Sequence, residues 1–323
     1  MNYGLPYKGS KNTIARQIVD FLPPAENFYD LFAGGCAITH AALLSGKYKH
    51  IYFNDINADI TQLFLDAIHG KFKGELRWIS SDDYYKLKNS DAYIKFCWSF
   101  GNTGKHYLYS KEIEPYKKAC HYAVVLDEWD LLKELCPETW EAAYRALNNV
   151  TNRKERRLKF GPAIVAALKS INDFDVIKNN PLYMSCHFKN GKKDLTEKTN
   201  GGTTPFRERL EETGEVRIQS LERLERLERL ESLERLERLE RQERITRLNQ
   251  SYDKVKIKPN SVIYCDIPYR DTDGYGMDFD YEKFYSWAER QSELVIISEY
   301  NMPDAVDVED YQKERGLGYY SRE

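Results

Sequence analysis

Two short apolar runs at opposite ends of the chain, Asn27–Phe32 (NFYDLF) and Ser261–Cys265 (SVIYC), restrict the fold more than any other feature. Each has the length of a strand buried on both faces, and each runs into a residue set suited to a site. The first passes into Ala33-Gly34-Gly35-Cys36 and a helix over Ala37–Leu44; the second ends at Asp266. Around the first the pattern predicts a helix over Thr13–Phe21, a strand over His50–Phe53 and a helix over Ala58–Ile68. Around the second it predicts a helix over Tyr281–Arg290 and a strand over Leu294–Ser298. Strand and helix alternate in both places, so the two ends assemble one open α/β sheet domain and the middle is an insertion.

A chain of 323 residues buries a sizeable core and has room for a second, smaller domain. The expected division is 1–70 and 251–323 for the sheet domain, 71–214 for the insertion and 215–250 for a linker or arm. Charge is nearly balanced, 48 Lys+Arg against 51 Asp+Glu, so any nucleic-acid surface must be a local patch. Six cysteines are scattered singly, which predicts neither a zinc site nor a disulfide framework. No apolar leader and no membrane-length run is visible, and a cytoplasmic protein without membrane contact is expected.

In an open α/β sheet, ligands bind beyond the carboxyl ends of the strands. The glycine pair lets a ligand approach the backbone at the N-terminus of the following helix, although it falls short of a full dinucleotide fingerprint. Asp55, at the end of the second strand, is placed to accept from ribose hydroxyls; it is equally placed to cap the next helix. Asp266, followed by Ile267, Pro268 and Tyr269, reads either as a simple Asp-X-Pro turn or as a carboxylate and aromatic holding a flat, amine-bearing ring.

The middle carries helical patches over Tyr84–Lys95, Asp127–Leu135 and Trp140–Leu147. Between them lie a glycine-, base- and aromatic-rich loop containing Lys105 and Tyr107, and a cationic run with Arg153, Lys154, Arg156 and Arg157. Such a run is either a solvated helix face or a phosphate-contact surface. Over Ile218–Leu248, Leu-Glu-Arg triplets predict a helix. A period of three slips by about 60° per triplet against the 3.6-residue turn, so the leucines form no lasting seam and the helix is expected to be mostly exposed. A small solenoid with inward leucines is the alternative.

Four stretches together resemble a known family, the Dam-like DNA adenine-N6 methyltransferases with an Asp-Pro-Pro-Tyr motif, phage members in particular. PYKGSK (Pro6–Lys11), DLFAGGCA (Asp30–Ala37), NDIN (Asn54–Asn57) and CDIPY (Cys265–Tyr269) occur in the family's order. SFGNTGKHYLY, GYGMDFDYEKFYSW and ISEYNMP are similar to phage members as well. The resemblance implies a Rossmann-like sheet that uses S-adenosyl-L-methionine, with an inserted, mainly helical target-recognition domain. It implies cofactor contact or support at Tyr7, Lys11, Asp30, Phe32, Gly34, Gly35, Asp55, Ile56 and Asp266. Catalysis falls to Asp266, Ile267, Pro268 and Tyr269, and double-stranded DNA is the implied partner of a monomer. The setting implied is bacterial or phage-infected cytoplasm, with restriction–modification as its context. Ile267 departs from the family's proline, putting a β-branched side chain next to the target base, and the closing strand pair is not evident; weakened activity and an exposed sheet edge are expected. A catalytically impaired DNA-binding relative and an amino-methyltransferase of RNA or protein are the rival readings.

Overall fold

The computed structural model describes residues 3–171, 186–188, 216–218, 222–236, 245–268 and 279–298. They form two compact units: residues 1–73, 101–103 and 229–323 in one, residues 74–100 and 104–228 in the other.

The first unit is built on a five-stranded sheet. Its strands are β1 (Asn27–Asp30), β2 (His50–Asn54), β5 (Ile245–Leu248), β6 (Ser261–Cys265) and β7 (Leu294–Ile297). The order is β5-β2-β1-β6-β7 and every pairing is parallel. β1 and β6 are buried along their whole length, which is why they read as unbroken apolar runs. Helices α1 (Ala15–Phe21), α2 (Ala37–Ser45), α3 (Ala58–Ile68) and α11 (Tyr281–Glu289) complete this unit. One face of the sheet carries Tyr29, Ile263 and Cys265 into a core with Ile267, Phe284 and Trp287. The chain moves outward from β1 to β2 on one side and later enters β6 on the other. The β1–β6 junction is therefore the topological switch point, where such sheets leave a crevice.

The second unit is mainly helical: α4 (Ser81–Leu87), α5 (Ala92–Cys97), α6 (Glu114–His121), a π-helical turn (Tyr122–Leu126), α7 (Asp130–Leu135), α8 (Trp140–Leu147) and α9 (Arg153–Ser170). Its core joins Cys120, Val124, Leu132, Leu147, Phe160 and Ile164. A short antiparallel pair, β3 (Cys186–Phe188) with β4 (Val216–Ile218), also belongs to it.

The Leu-Glu-Arg segment differs from expectation. Among the described residues it is helical over α10 (Glu222–Ser232), followed by a 3-10 turn (Leu233–Leu236), while Ile245–Leu248 is an edge strand of the sheet. Ile-Thr-Arg-Leu alternates with a period of two and is half β-branched, which suits a strand. The helix is not mostly exposed: Leu224, Leu227, Leu230 and Leu233 are all buried. Their slip carries each successive leucine to a new side, so Leu224 and Leu233 lie about half a turn apart and are nevertheless both covered. Over the described residues the triplets form one α-helix and a 3-10 turn rather than the alternative solenoid. Residues 269–278 and 299–323 lie outside the described residues, and with them the stretch in which a closing strand pair was not evident from the sequence.

The cationic run forms the first turns of α9, capped by Asn152, whose side chain accepts from the Glu155 N–H. Arg156 is buried. It donates to the carbonyls of Val124 (2.8 Å), Leu147 (3.1 Å), Val150 (3.0 Å) and Ala123 (2.6 Å), and to Asp127 Oδ1 (2.6 Å). Those carbonyls lie in the π turn and just at or past the end of α8, where helix ends leave acceptors unmatched. Truncating Arg156 to alanine orphans several buried acceptors, and stability should fall by about 2–4 kcal/mol. Denaturant unfolding measures this; a midpoint equal to that of the unsubstituted protein would show that Arg156 is no structural bolt.

Candidate active site

Four segments of the sheet unit converge at the switch point. They are the N-terminal arm (Tyr7–Lys11), the turn after β1 (Leu31–Gly35), the end of β2 (Asn54–Asn57) and the end of β6 (Asp266 and Pro268). They surround a cavity of about 320 Å³, whose remaining wall includes Gln250, Ser251, Tyr252 and Phe279. That volume is within the range of small-molecule sites.

The turn is shaped by contacts that only glycine permits. Gly34 has φ of 44°, and a Cβ on Gly35 would stand 2.7 Å from the Tyr7 Cβ, because the tyrosine lies across both glycines. Gly34 N–H donates to Asp55 Oδ2 and Asn57 N–H to Asp55 Oδ1, both at 2.8 Å. Asp55 therefore ties the turn after β1 to the end of β2. It does not cap α3; Asn57 does, accepting from Asp59 N–H. Asn54 sets the spacing of the same segments, donating to the carbonyls of Leu31 and Gln250, each at 3.0 Å.

Lys11 Nζ donates to both oxygens of Asp266 at 2.8 Å, with both side chains more than four-fifths buried. Such a charge-assisted pair fixes the carboxylate at the cavity wall. Asp30 lies beneath, fully enclosed, and accepts from Thr39 Oγ1 (2.6 Å) and Thr39 N–H (3.1 Å). Burial drives its pKa from 3.8 to about 7, against the Thr39 hydroxyl, and the charges of Asp266 and Asp55 add to the rise. Burial likewise raises Asp55, opposed by the Asn57 and Gly34 N–H groups.

The structure brings Tyr7, Lys11, Asp30, Phe32, Gly34, Gly35, Asp55, Ile56, Asp266 and Pro268 to one cavity. Phe32 is packed in an aromatic group with Tyr252, Phe279 and Phe284, and Ile56 is 58% exposed. The expected place of the Ile267 side chain beside the base is corrected: that side chain is 2% exposed, packed in the core with Ile263, Cys265 and Phe284, and is not among the cavity-lining residues. A side chain turned into the core does not crowd a base. Tyr269 lies outside the described residues.

Three of the six DNA-contact candidates are corrected as well. Tyr107 is buried, its hydroxyl donating to the Ile79 carbonyl at 2.7 Å. Arg156 is the internal bolt described above, and Arg157 pairs with Glu225 (2.8 Å) and Glu228 (2.9 Å). Lys105 and Lys154 are exposed and Arg153 is half-buried. Sequence reading placed Asn54 in the NDIN stretch without a role of its own, and missed the wall at Gln250–Tyr252. The one signal for the latter was a polar stretch, Asn249–Ser251, after a period-two run.

A parallel sheet with a glycine turn, an acidic end on β2 and a lysine-held carboxylate just past β6 around one crevice is consistent with a methyltransferase-like α/β core. Residues 7–158 match the family model described as D12 class N6 adenine-specific DNA methyltransferase. The match takes in the arm, the glycine turn, Asp55 and most of the helical unit, and ends before β6. No curated protein matches the chain. Among the described residues, no helix is long and apolar enough to cross a membrane.

Asp30 gives the site a pH signature. Its pKa is higher folded than unfolded, so its contribution to stability is full below about 4 and is lost as pH rises through about 7. Asp30→Asn, which cannot ionise, should flatten the fall in stability across that window. Equal slopes for the two proteins would refute the assignment.

Proposed function

We propose that the protein is a site-specific DNA methyltransferase acting on the N6 amine of adenine, with the target base flipped from double-stranded DNA and the methyl group passed by direct displacement. The observation that carries this reading is Asp266, held through both oxygens by Lys11 in the wall of the cavity that the glycine turn and Asp55 also form.

The residues present fit a nucleoside cofactor. Asp55 would hold ribose hydroxyls: each of its oxygens takes one backbone N–H in the structure and keeps a lone-pair site for a further donor. Phe32, Ile56, Tyr252 and Phe279 offer apolar surface for an adenine ring, and the glycine turn lines the same cavity. When bound, S-adenosylmethionine supplies a methyl group activated by a sulfonium.

The chain supplies the rest. The exocyclic amine of adenine is a poor nucleophile because its lone pair is spread into the ring. Asp266, accepting from that amine, favours a more sp3-like nitrogen and stabilises the positive charge that grows there. Lys11 keeps the carboxylate in place to accept from the amine. The Ile267 carbonyl is the proposed second acceptor, and Tyr269 the proposed stacking partner. Because the Ile267 side chain packs in the core, its departure from proline affects stability more than chemistry. Lys105, Arg153 and Lys154 are the proposed phosphate contacts, and a monomer is the proposed active form.

Tritiated methyl transfer from S-adenosylmethionine to adenine-containing duplex DNA tests the reading. Asp266→Ala should lower kcat by about 10²–10³, the usual loss of one transition-state hydrogen-bonding group. Label found in RNA or protein instead, or no label despite intact cofactor and DNA binding, would overturn it. Ile267→Ala should cost about 2–4 kcal/mol of stability by leaving a core cavity, with kcat per folded molecule changed less than tenfold. A collapse of kcat in well-folded Ile267→Ala protein would restore that side chain to the chemistry.

A further inference from the structure

We infer that Arg229, a member of the Leu-Glu-Arg repeat, is a positioning residue for the arm that lines the cofactor cavity. Its Nε donates to the Gly4 carbonyl at 2.7 Å and its Nη2 to the Tyr3 carbonyl. One guanidinium thus holds two consecutive carbonyls, a planar, charge-assisted grip that a lysine cannot reproduce. From there the arm is fastened directly to the glycine turn. Gly4 N–H donates to His40 Nδ1 at 2.9 Å and Leu5 N–H to the Gly35 carbonyl at 2.6 Å. Tyr3 and Leu5 are buried, and the Tyr3 ring meets His40 edge-on. Gly4 has φ of 62°, and any side chain there would collide with the Gly35 carbonyl, so the arm has no slack against the turn. The next residues carry Tyr7 across Gly34 and Gly35 and Lys11 onto Asp266.

Arg229 is not among the residues lining the cavity; it fixes the root of the segment that is. The repeat is therefore part of the site's support, and its arginine at this position sets how well the arm is ordered for a ligand. This rests on the reading that the cavity takes S-adenosylmethionine.

The test uses the full chain and S-adenosylhomocysteine as calorimetric probe, with hydrogen exchange of the N-terminal peptide as a second readout. Arg229→Ala should weaken binding about tenfold and release the Gly4 and Leu5 amides to faster exchange. Arg229→Lys should recover part of both. Arg226→Ala is the control, since Arg226 makes a like pair of bonds, to the carbonyls of Cys97 and Ser99; it should leave both readouts unchanged. Equal loss in the two alanine variants would mean general weakening of the helix and would overturn the inference, as would unchanged exchange in Arg229→Ala. If the unsubstituted protein binds no S-adenosylhomocysteine, the functional reading falls, and the exchange data alone decide the clamp.

Discussion

Parallel pairing of β1 with β6, from Asn27 against Ser261 to Asp30 against Tyr264, joins segments that the sequence keeps at opposite ends of the chain. Everything chemical depends on that register. It sets Leu31 N–H on the Tyr264 carbonyl and so brings the glycine turn level with Asp266. It also sets Asp30 near Asp266, whose charge, with that of Asp55, adds to the rise that burial imposes on the Asp30 carboxyl. The fold answers differently at each carboxylate: Lys11 pairs with Asp266, two backbone N–H groups solvate Asp55, and Asp30 shares its proton with solution near neutrality. One site thus holds three acids with three different sets of neighbours: a lysine, two backbone N–H groups and a threonine.

How much of this was legible depended on whether the signal was periodic. β1, β2, β6 and α3 were readable because apolar runs and a 3.6-residue pattern survive in the sequence, and α8 began and ended where its pattern did. The strand ends pointed to Asp55 and Asp266 because carboxyl ends of strands gather ligands. Arg156 was unreadable: a charged residue that bolts helix ends and one that faces water share the same run of letters, and only the position of distant carbonyls separates them. β5 was hidden because it follows directly on a helix-forming repeat, and four residues of alternation are too few to announce a strand.

Ile267 shows why a motif and a packing position must be weighed separately. Read as the second letter of a catalytic tetrapeptide, it looked like damage to the chemistry. In the sheet it follows a strand whose alternate residues, Ile263 and Cys265, already face the same core, and its side chain continues that row. A backbone carbonyl is available from any residue type, so a position can retain its chemical duty while its side chain is chosen by the core behind it.

The triplets add a different kind of property. A helix sliding by one or two residues would put leucine or glutamate opposite the Tyr3 and Gly4 carbonyls, but sliding by three in one direction replaces Arg229 with Arg226 and each buried leucine with another. Sliding three the other way brings Ser232 instead, where the repeat is broken. Moving the repeat by one whole unit toward its C-terminal end would thus still present an arginine to the two carbonyls, whereas the interruption at Ser232 denies one to the opposite move.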